Sequence, residues 1–132
     1  MAEEKETDKK SDFLYSIRTY TLTEDFLLKM EQIGKEYENL LPELKASNIP
    51  CNNTIKEFTA YISDQPKLMN ILKNNNITPR DFFLGCNALA GTLMSLIWGE
   101  FDEKSTVFLS NLEFGKKHMY RVYTVVEKTC GC

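Results

Sequence analysis

The chain has 132 residues, a length that suits one domain. Hydrophobic residues make up 42% of it, enough for a buried core, and Leu, Ile, Phe and Met outweigh Val, which favours helices over sheets. The formal net charge of −3 excludes a strong positive field over the whole chain, so we expect neither nucleic acid nor an acidic lipid surface as a partner.

The N-terminal segment 1–12, MAEEKETDKKSD, is small, polar or charged after its Met. It cannot bury enough apolar surface to offset its ordering entropy, which predicts a disordered tail ahead of a single helical domain over residues 13–132. It also lacks the apolar stretch of a secretory signal, so we expect a chain that is either cytosolic or already processed. Residues 13–22, FLYSIRTYTL, alternate in part and are aromatic and β-branched, which indicates a short strand or an extended arm.

About five helices are predicted after this segment. Thr21 with Glu24 has the spacing of a capping box, in which side chains satisfy orphan backbone amides at a helix start. Apolar residues then recur at steps of three and four: Phe26, Met30, Ile33, Tyr37, Leu40 and Leu44. Pro42 cannot donate to the helical ladder, so this helix should bend or end near residues 39–41.

Three later helix starts carry comparable signals. Thr54 with Glu57 repeats the capping box, and Pro66 suits the first position of the following helix. Ser110 with Glu113 has the same box spacing and predicts the start of the last helix. The apolar positions of that last helix are Leu112, Met119, Val122 and Val126.

The central feature is an uncharged stretch, residues 82–99, FFLGCNALAGTLMSLIWG, in a chain with 27% charged residues. Thr78, Pro79 and Asp81 supply a cap, a first-turn proline and a first-turn acid, so we predict one helix over residues 79–99. Eighteen helical residues span about 27 Å, just short of a hydrocarbon core of about 30 Å. The polar residues and glycines within the stretch favour a buried core helix over a membrane span. A dimer interface and the floor of an apolar ligand site are the alternatives.

Two sets of residues divide the surface of this central helix. The large set is Phe82, Cys86, Leu89, Leu93 and Leu96. The small set is Gly85, Ala88, Thr92, Ser95 and Gly99. Small residues at steps of three and four let another helix approach closely, so we expect the small set to pack against a neighbouring helix.

No motif in the sequence names a reaction. Cys86 and His118 could pair as nucleophile and base, but a thiol in an apolar helix is expected to be buried and inert. A metal site built from Cys130, Cys132 and His118 lacks a fourth ligand. The sequence therefore predicts no catalytic residues, no metal site and no cofactor.

The cysteines outside the central helix are the disulfide candidates. Cys130 or Cys132 could bridge to Cys51, which would suit an oxidising compartment, and free thiols are the alternative. The terminal Cys-Gly-Cys resembles the doubly prenylated tail of Rab-type GTPases, although no G-protein motif accompanies it.

A basic and aromatic cluster precedes the C-terminus. It consists of Lys116, Lys117, Tyr120 and Arg121, with Tyr123 nearby. Because the chain as a whole is acidic, we interpret the cluster as a solvated helix face or a protein-contact patch rather than a nucleic-acid site.

Three segments, LTEDFLLKMEQIGKEY, QPKLMNILKNNNITPRDFFLGCNALAGTLM and SNLEFGKKHMYRV, together resemble a family of small, exported, uncharacterised helical proteins of proteobacteria. The resemblance covers about residues 22–122. The matching positions are Pro66, Thr78, Pro79, Arg80, Asp81, Phe82 and Asn111, the last of which opens the final helix in that family. Asn75 and Asn76 stand where a glycine is expected, and Asn tolerates the left-handed conformation. The family implies export and a helical fold, but no activity.

These observations lead us to expect a non-enzymatic binding protein of the bacterial periplasm or exterior, with an unknown protein partner. An inhibitor or immunity protein is one concrete form, and a homodimer is another outcome. The first alternative is a carrier of an apolar ligand, with a cavity lined by Leu89, Leu93 and Met94. The second is a cytosolic effector anchored by lipids on free Cys130 and Cys132.

Overall fold

A computed structural model describes residues 9–36, 38, 54–99 and 104–130. Over these ranges the chain is all-helical, which confirms the predicted class, but it forms seven helices rather than about five. The helices are α1 (Lys9–Thr19), α2 (Glu24–Glu36), α3 (Ile55–Ser63), α4 (Pro66–Asn74), α5 (Pro79–Trp98), α6 (Thr106–Lys117) and α7 (Met119–Lys128). The bend expected near Pro42 lies outside the described residues.

Helix α1 replaces the extended arm and the end of the disordered tail that the sequence predicted. The buried residues Asp12, Ser16 and Ile17 recur with helical rather than alternating spacing, so the prediction of an arm over 13–22 was wrong. Asp12 Oδ2 accepts a hydrogen bond of 2.7 Å from the backbone N–H of Ile55, which places this carboxylate at the positive N-terminus of α3. Residues 1–8 of the predicted tail lie outside the described residues.

The local start signals of α3, α4 and α5 are confirmed. Thr54 and Glu57 form both bonds of the capping box, each 3.0 Å long. Pro66 occupies the first turn of α4, and Thr78 accepts from the backbone N–H of Asp81 at the start of α5. Asn76 has a φ of +57°, the left-handed conformation expected where a glycine would stand.

Two other start signals are displaced. At the start of α2, the hydroxyl that accepts from the N–H of Phe26 is that of Thr23 rather than Thr21. The predicted capping box of Ser110 was wrong, because α6 begins after Ser105, whose hydroxyl accepts from the N–H of Phe108. The helical conformation is then interrupted at His118, which separates α6 from α7.

Asn111 lies inside α6 rather than at the start of a helix. Its side chain is buried and bridges to the short segment between α1 and α2. The amide nitrogen donates to the carbonyl oxygen of Tyr20 at 2.7 Å, and the amide oxygen accepts from the N–H of Leu22 at 2.9 Å. The carbonyl of Tyr20 and the N–H of Leu22 lie between α1 and α2, and these bonds satisfy both groups. Asn111 therefore joins the N-terminal part of the fold to α6.

Helix α5 is the centre of the fold. Every residue from Phe82 to Leu93 is buried, and α1, α3, α4, α6 and α7 all contact this helix. It is long and apolar enough to cross a membrane, with a mean hydropathy of 1.3, but 67% of that window is covered by the rest of the protein. Such burial is typical of the core helix of a bundle.

The large residues of α5 are buried, apart from the half-buried Leu96. The small residues allow close contacts: the ring of Phe26 from α2 lies directly against Gly85, and Gly115 of α6 lies against Thr92. Gly99 differs from the rest of its set, because it is exposed and ends α5 with a φ of +63°.

We expect Gly85→Ala to destabilise the fold by about 1–3 kcal/mol, because the new methyl group would overlap the ring of Phe26. Helix propensity alone predicts the opposite sign, a gain of about 1 kcal/mol. Urea unfolding measures the difference, and Ser110→Ala on the exposed face of α6 is the control, with little change expected. The double variant Gly85→Ala/Phe26→Leu should recover part of the loss; a Gly85→Ala variant as stable as wild type would contradict this packing.

Candidate interaction surface

Helix α7 is a ten-residue amphipathic helix with one buried and one exposed face. Its buried face consists of Val122, Val125 and Val126. The neighbouring face exposes Met119, Tyr120 and Tyr123, which we call the tyrosine face. Tyr120 is 80% exposed, Tyr123 47% and Met119 38%, and their helical positions fall within an arc of about 100°.

A disulfide fixes the C-terminal end of α7. Cys130, two residues beyond the helix, is bonded to Cys86 in α5, and the two Cα atoms lie 5.6 Å apart. Both side chains are buried. The expectation that Cys86 carries a free thiol was wrong, and Cys130 pairs with Cys86 rather than with Cys51. Cys51 and Cys132 lie outside the described residues.

The sequence could not reveal this pairing, because it depends on how α7 packs against α5. The two cysteines are 44 residues apart in the chain. In the chain-entropy model, a bridge that closes such a loop stabilises the fold by about 4 kcal/mol. A ten-residue helix is marginal in isolation, so the bridge contributes substantially to holding α7 in place.

A close contact with α2 supports the same end of α7. The hydroxyl of Thr129 donates to the carbonyl oxygen of Met30 at 3.3 Å. Gly34 lies beside Thr129, where an added Cβ would overlap the threonine hydroxyl. A side chain at position 34 would therefore push α2 and the end of α7 apart.

Arg121 ties the N-terminal half of α7 to α2. Its guanidinium donates two hydrogen bonds of 2.9 Å to the carboxylate of Glu31 and one of 3.2 Å to Glu24. The contact with Glu31 is bidentate, which is the strongest arrangement of an arginine–carboxylate pair. It lowers the pKa of Glu31 and, together with the bond to Glu24, raises the pKa of Arg121 above its ordinary value.

The basic patch predicted from the sequence is thus divided. Tyr120 belongs to the tyrosine face, whereas Arg121 is paired with α2. Lys116 and Lys117 are exposed at the end of α6, and Lys116 forms a surface ion pair with Glu113.

Met119 belongs to the tyrosine face, but the sequence placed only the two tyrosines of this face in or beside the basic and aromatic cluster. Met119 had been placed in one apolar series with Leu112. The break at His118 shifts the helical phase between these two residues, so the series does not continue across it. The φ of −122° at His118 is not signalled by any Pro or Gly, which is why the break was missed.

The candidate nucleophile and base, Cys86 and His118, do not form a catalytic pair in the described part of the chain. Cys86 is held in its disulfide and cannot serve as a nucleophile with His118, whose ring instead lies 4.6 Å from that of Phe114, centroid to centroid. Among the described residues, no group of three His, Cys, Asp or Glu side chains is arranged to hold a metal ion.

Two surface grooves are lined by residues other than Leu89, Leu93 and Met94, the lining expected for a carrier. The groove between α2 and α7, of about 570 Å³, is lined by Glu31, Gly34, Lys35, Glu38, Thr124, Val125, Lys128 and Thr129. A groove of about 370 Å³ beside α1 is lined by Ser11, Asp12, Tyr15, Ile55, Arg80 and Leu84. Leu89 and Leu93 instead belong to the buried core.

Comparison with known protein families, curated proteins and solved structures finds no match. The resemblance to exported proteobacterial proteins therefore stays a prediction. A functional proposal therefore has to start from α7, which is linked to α2 and α5 and exposes the tyrosine face.

We expect Arg121→Gln to destabilise the protein by about 1 kcal/mol at neutral pH, because both carboxylates of α2 lose their partner. The folded-state pKa of Glu31 lies below its ordinary value of 4.5, so this stabilisation is present above that pH and is lost as the pH falls through the folded pKa. Urea unfolding of both proteins from neutral to acidic pH measures the difference, which should shrink on acidification. Lys116→Gln, which removes a surface pair, is the control; equal stability of Arg121→Gln and wild type at neutral pH would exclude a stabilising role for the pair.

Proposed function

We propose that this chain is a non-enzymatic binding protein of the bacterial periplasm or exterior, and that a protein partner docks on the tyrosine face of α7. The observation that carries the proposal is an exposed tyrosine pair on a short helix that is tethered at both ends. Arg121 holds one end against α2, and the Cys86–Cys130 disulfide holds the other against α5.

Tyrosines on a rigid helix suit protein recognition on energetic grounds. A tyrosine offers a large apolar ring and a hydroxyl while losing little conformational entropy on binding, and tyrosines are enriched among the residues that dominate binding energy. A helix already held in place loses less freedom when the partner arrives, which improves affinity. Tyr120 and Tyr123 combine both properties.

The disulfide supports an oxidising compartment, where such bonds form and persist. The finer assignment to the periplasm or exterior rests on the resemblance to exported proteins. An inhibitor or immunity protein is a concrete form of this proposal, consistent with the small size and acidity of the chain.

The structure supplies less support for the two alternatives. A carrier needs space beside the small residues of α5, but Phe26 fills the position against Gly85 and Ile17 fills the one against Gly91. A lipid-anchored effector needs a free, accessible Cys130, whereas this cysteine is buried in its bond to Cys86.

Affinity capture with the oxidised protein tests the proposal on a periplasmic or extracellular extract of the source organism. We expect a protein bound by wild type to be lost with Tyr120→Ala/Tyr123→Ala, with affinity reduced more than about tenfold, as is typical of dominant interface residues. Tyr15→Ala is the matched control, because Tyr15 is similarly exposed but lies on α1. Failure of wild type to retain any protein, or equal retention by the double variant, would overturn the proposal.

A further inference from the structure

We propose that the groove beside α1 binds a small organic carboxylate with an apolar body, such as an aromatic acid, and that Arg80 binds its carboxylate group. This groove, which we call the α1 groove, is lined by Ser11, Asp12, Tyr15, Ile55, Arg80 and Leu84. The tyrosine face lies on α7 and contributes none of these residues. The inference therefore goes beyond the proposed function and does not depend on it.

Three helices form the walls of the α1 groove, and most of the groups they contribute are apolar. Tyr15 comes from α1, Ile55 is the first residue of α3, and Leu84 lies on α5 one turn after Arg80. Leu84 is buried, Ile55 is partly buried and Tyr15 is about half exposed. The groove has a volume of about 370 Å³, within the range of about 300–1,000 Å³ that is usual for small-molecule sites. It can therefore cover the apolar body of a small ligand.

Arg80 is a charged group of this groove that is open to a ligand. It is exposed, and no carboxylate among the described residues forms an ion pair with it. It is also the second residue of α5, where the positive end of the helix dipole does not favour a cation. Neither an ion pair nor the helix dipole accounts for an arginine at this position. Departures from such local preferences are expected mainly at functional sites.

Asp12 also lines the groove, but its carboxylate is already engaged. The residue is buried, and Oδ2 accepts the 2.7 Å hydrogen bond from the N–H of Ile55 at the positive N-terminus of α3. This helix end offsets the charge of Asp12, whereas the guanidinium of Arg80 is left to pair with a ligand. The groove therefore favours an anion over a cation, and a guanidinium can bind a carboxylate through two parallel hydrogen bonds.

Three probes of nearly the same shape test this preference: the anionic phenylpropanoate, the neutral phenylpropanamide and the cationic phenylpropylamine. Titration of the oxidised full chain, followed by NMR of the backbone N–H groups, measures both the affinity and the place of binding. We expect a millimolar dissociation constant for phenylpropanoate and signal changes around Tyr15, Ile55 and Arg80. Phenylpropanamide should bind about tenfold more weakly and phenylpropylamine more weakly still, because neither offers a carboxylate to the guanidinium.

Arg80→Gln separates the charge of the groove from its shape. It should weaken phenylpropanoate binding about tenfold and leave phenylpropanamide binding nearly unchanged. Lys73→Gln is the matched control, because it removes the same charge from an exposed position on α4 and should change neither affinity. Tyr15→Ala should weaken the binding of both probes about two- to tenfold, since both lose the aromatic wall. Far-UV circular dichroism checks that each variant keeps its helices.

Four results would overturn the proposal: no binding of phenylpropanoate up to its solubility limit, equal affinity for the three probes, unchanged phenylpropanoate binding by Arg80→Gln, or signal changes confined to residues away from the groove. Each would leave the proposed function intact, because Tyr120 and Tyr123 lie on a different helix. Conversely, the failure of the tyrosine face to capture a protein would leave the binding of phenylpropanoate unaffected.

Discussion

The structure depends on one constraint: α5 is apolar on nearly every side and must be covered all round. Twelve consecutive residues, Phe82–Leu93, are buried, and helices from both halves of the described chain provide the cover. Glycines are used where a neighbour must come closest, as at Gly85 beneath the ring of Phe26. Each of the other described helices contacts α5 or a helix that touches it, so together they provide this cover.

The position of α7 shows how the fold can produce a binding surface. Its valines complete the cover of the core, so the opposite side of the same helix must face solvent. Two long-range links then fix that side in space: the ion pair of Arg121 with Glu31 and the disulfide of Cys130 with Cys86. In this account the proposed function is a consequence of packing, since a rigid helix with exposed tyrosines is the outer side of a core element.

Features encoded within one or two helical turns could be predicted from the sequence. The capping box of Thr54 and the left-handed Asn76 belong to this class, because a few neighbouring residues determine them. Contacts between segments that are distant in the chain could not be predicted in this way. The bonds of Asn111 to the segment before α2 join residues about ninety positions apart, and the partner of Cys86 depends on the direction of α7 after the unsignalled break at His118. Of the tyrosine face, the sequence placed Tyr120 and Tyr123 in or beside the basic and aromatic cluster but missed Met119, because that break sets which side of α7 is exposed.

We infer that the disulfide to α5 makes α7 a rigid platform. Native-state hydrogen exchange tests it most directly, by comparing the backbone amides of Val122, Val125 and Val126 in α7 with that of Leu89 in α5. We predict that the α7 amides exchange as slowly as Leu89 in the oxidised protein and about a hundredfold faster once the Cys86–Cys130 bond is reduced. The lower global stability also speeds the exchange of Leu89, but the α7 amides should then exchange faster than Leu89, because α7 opens locally as well. Rapid exchange of α7 in the oxidised protein, or no change on reduction, would contradict the account.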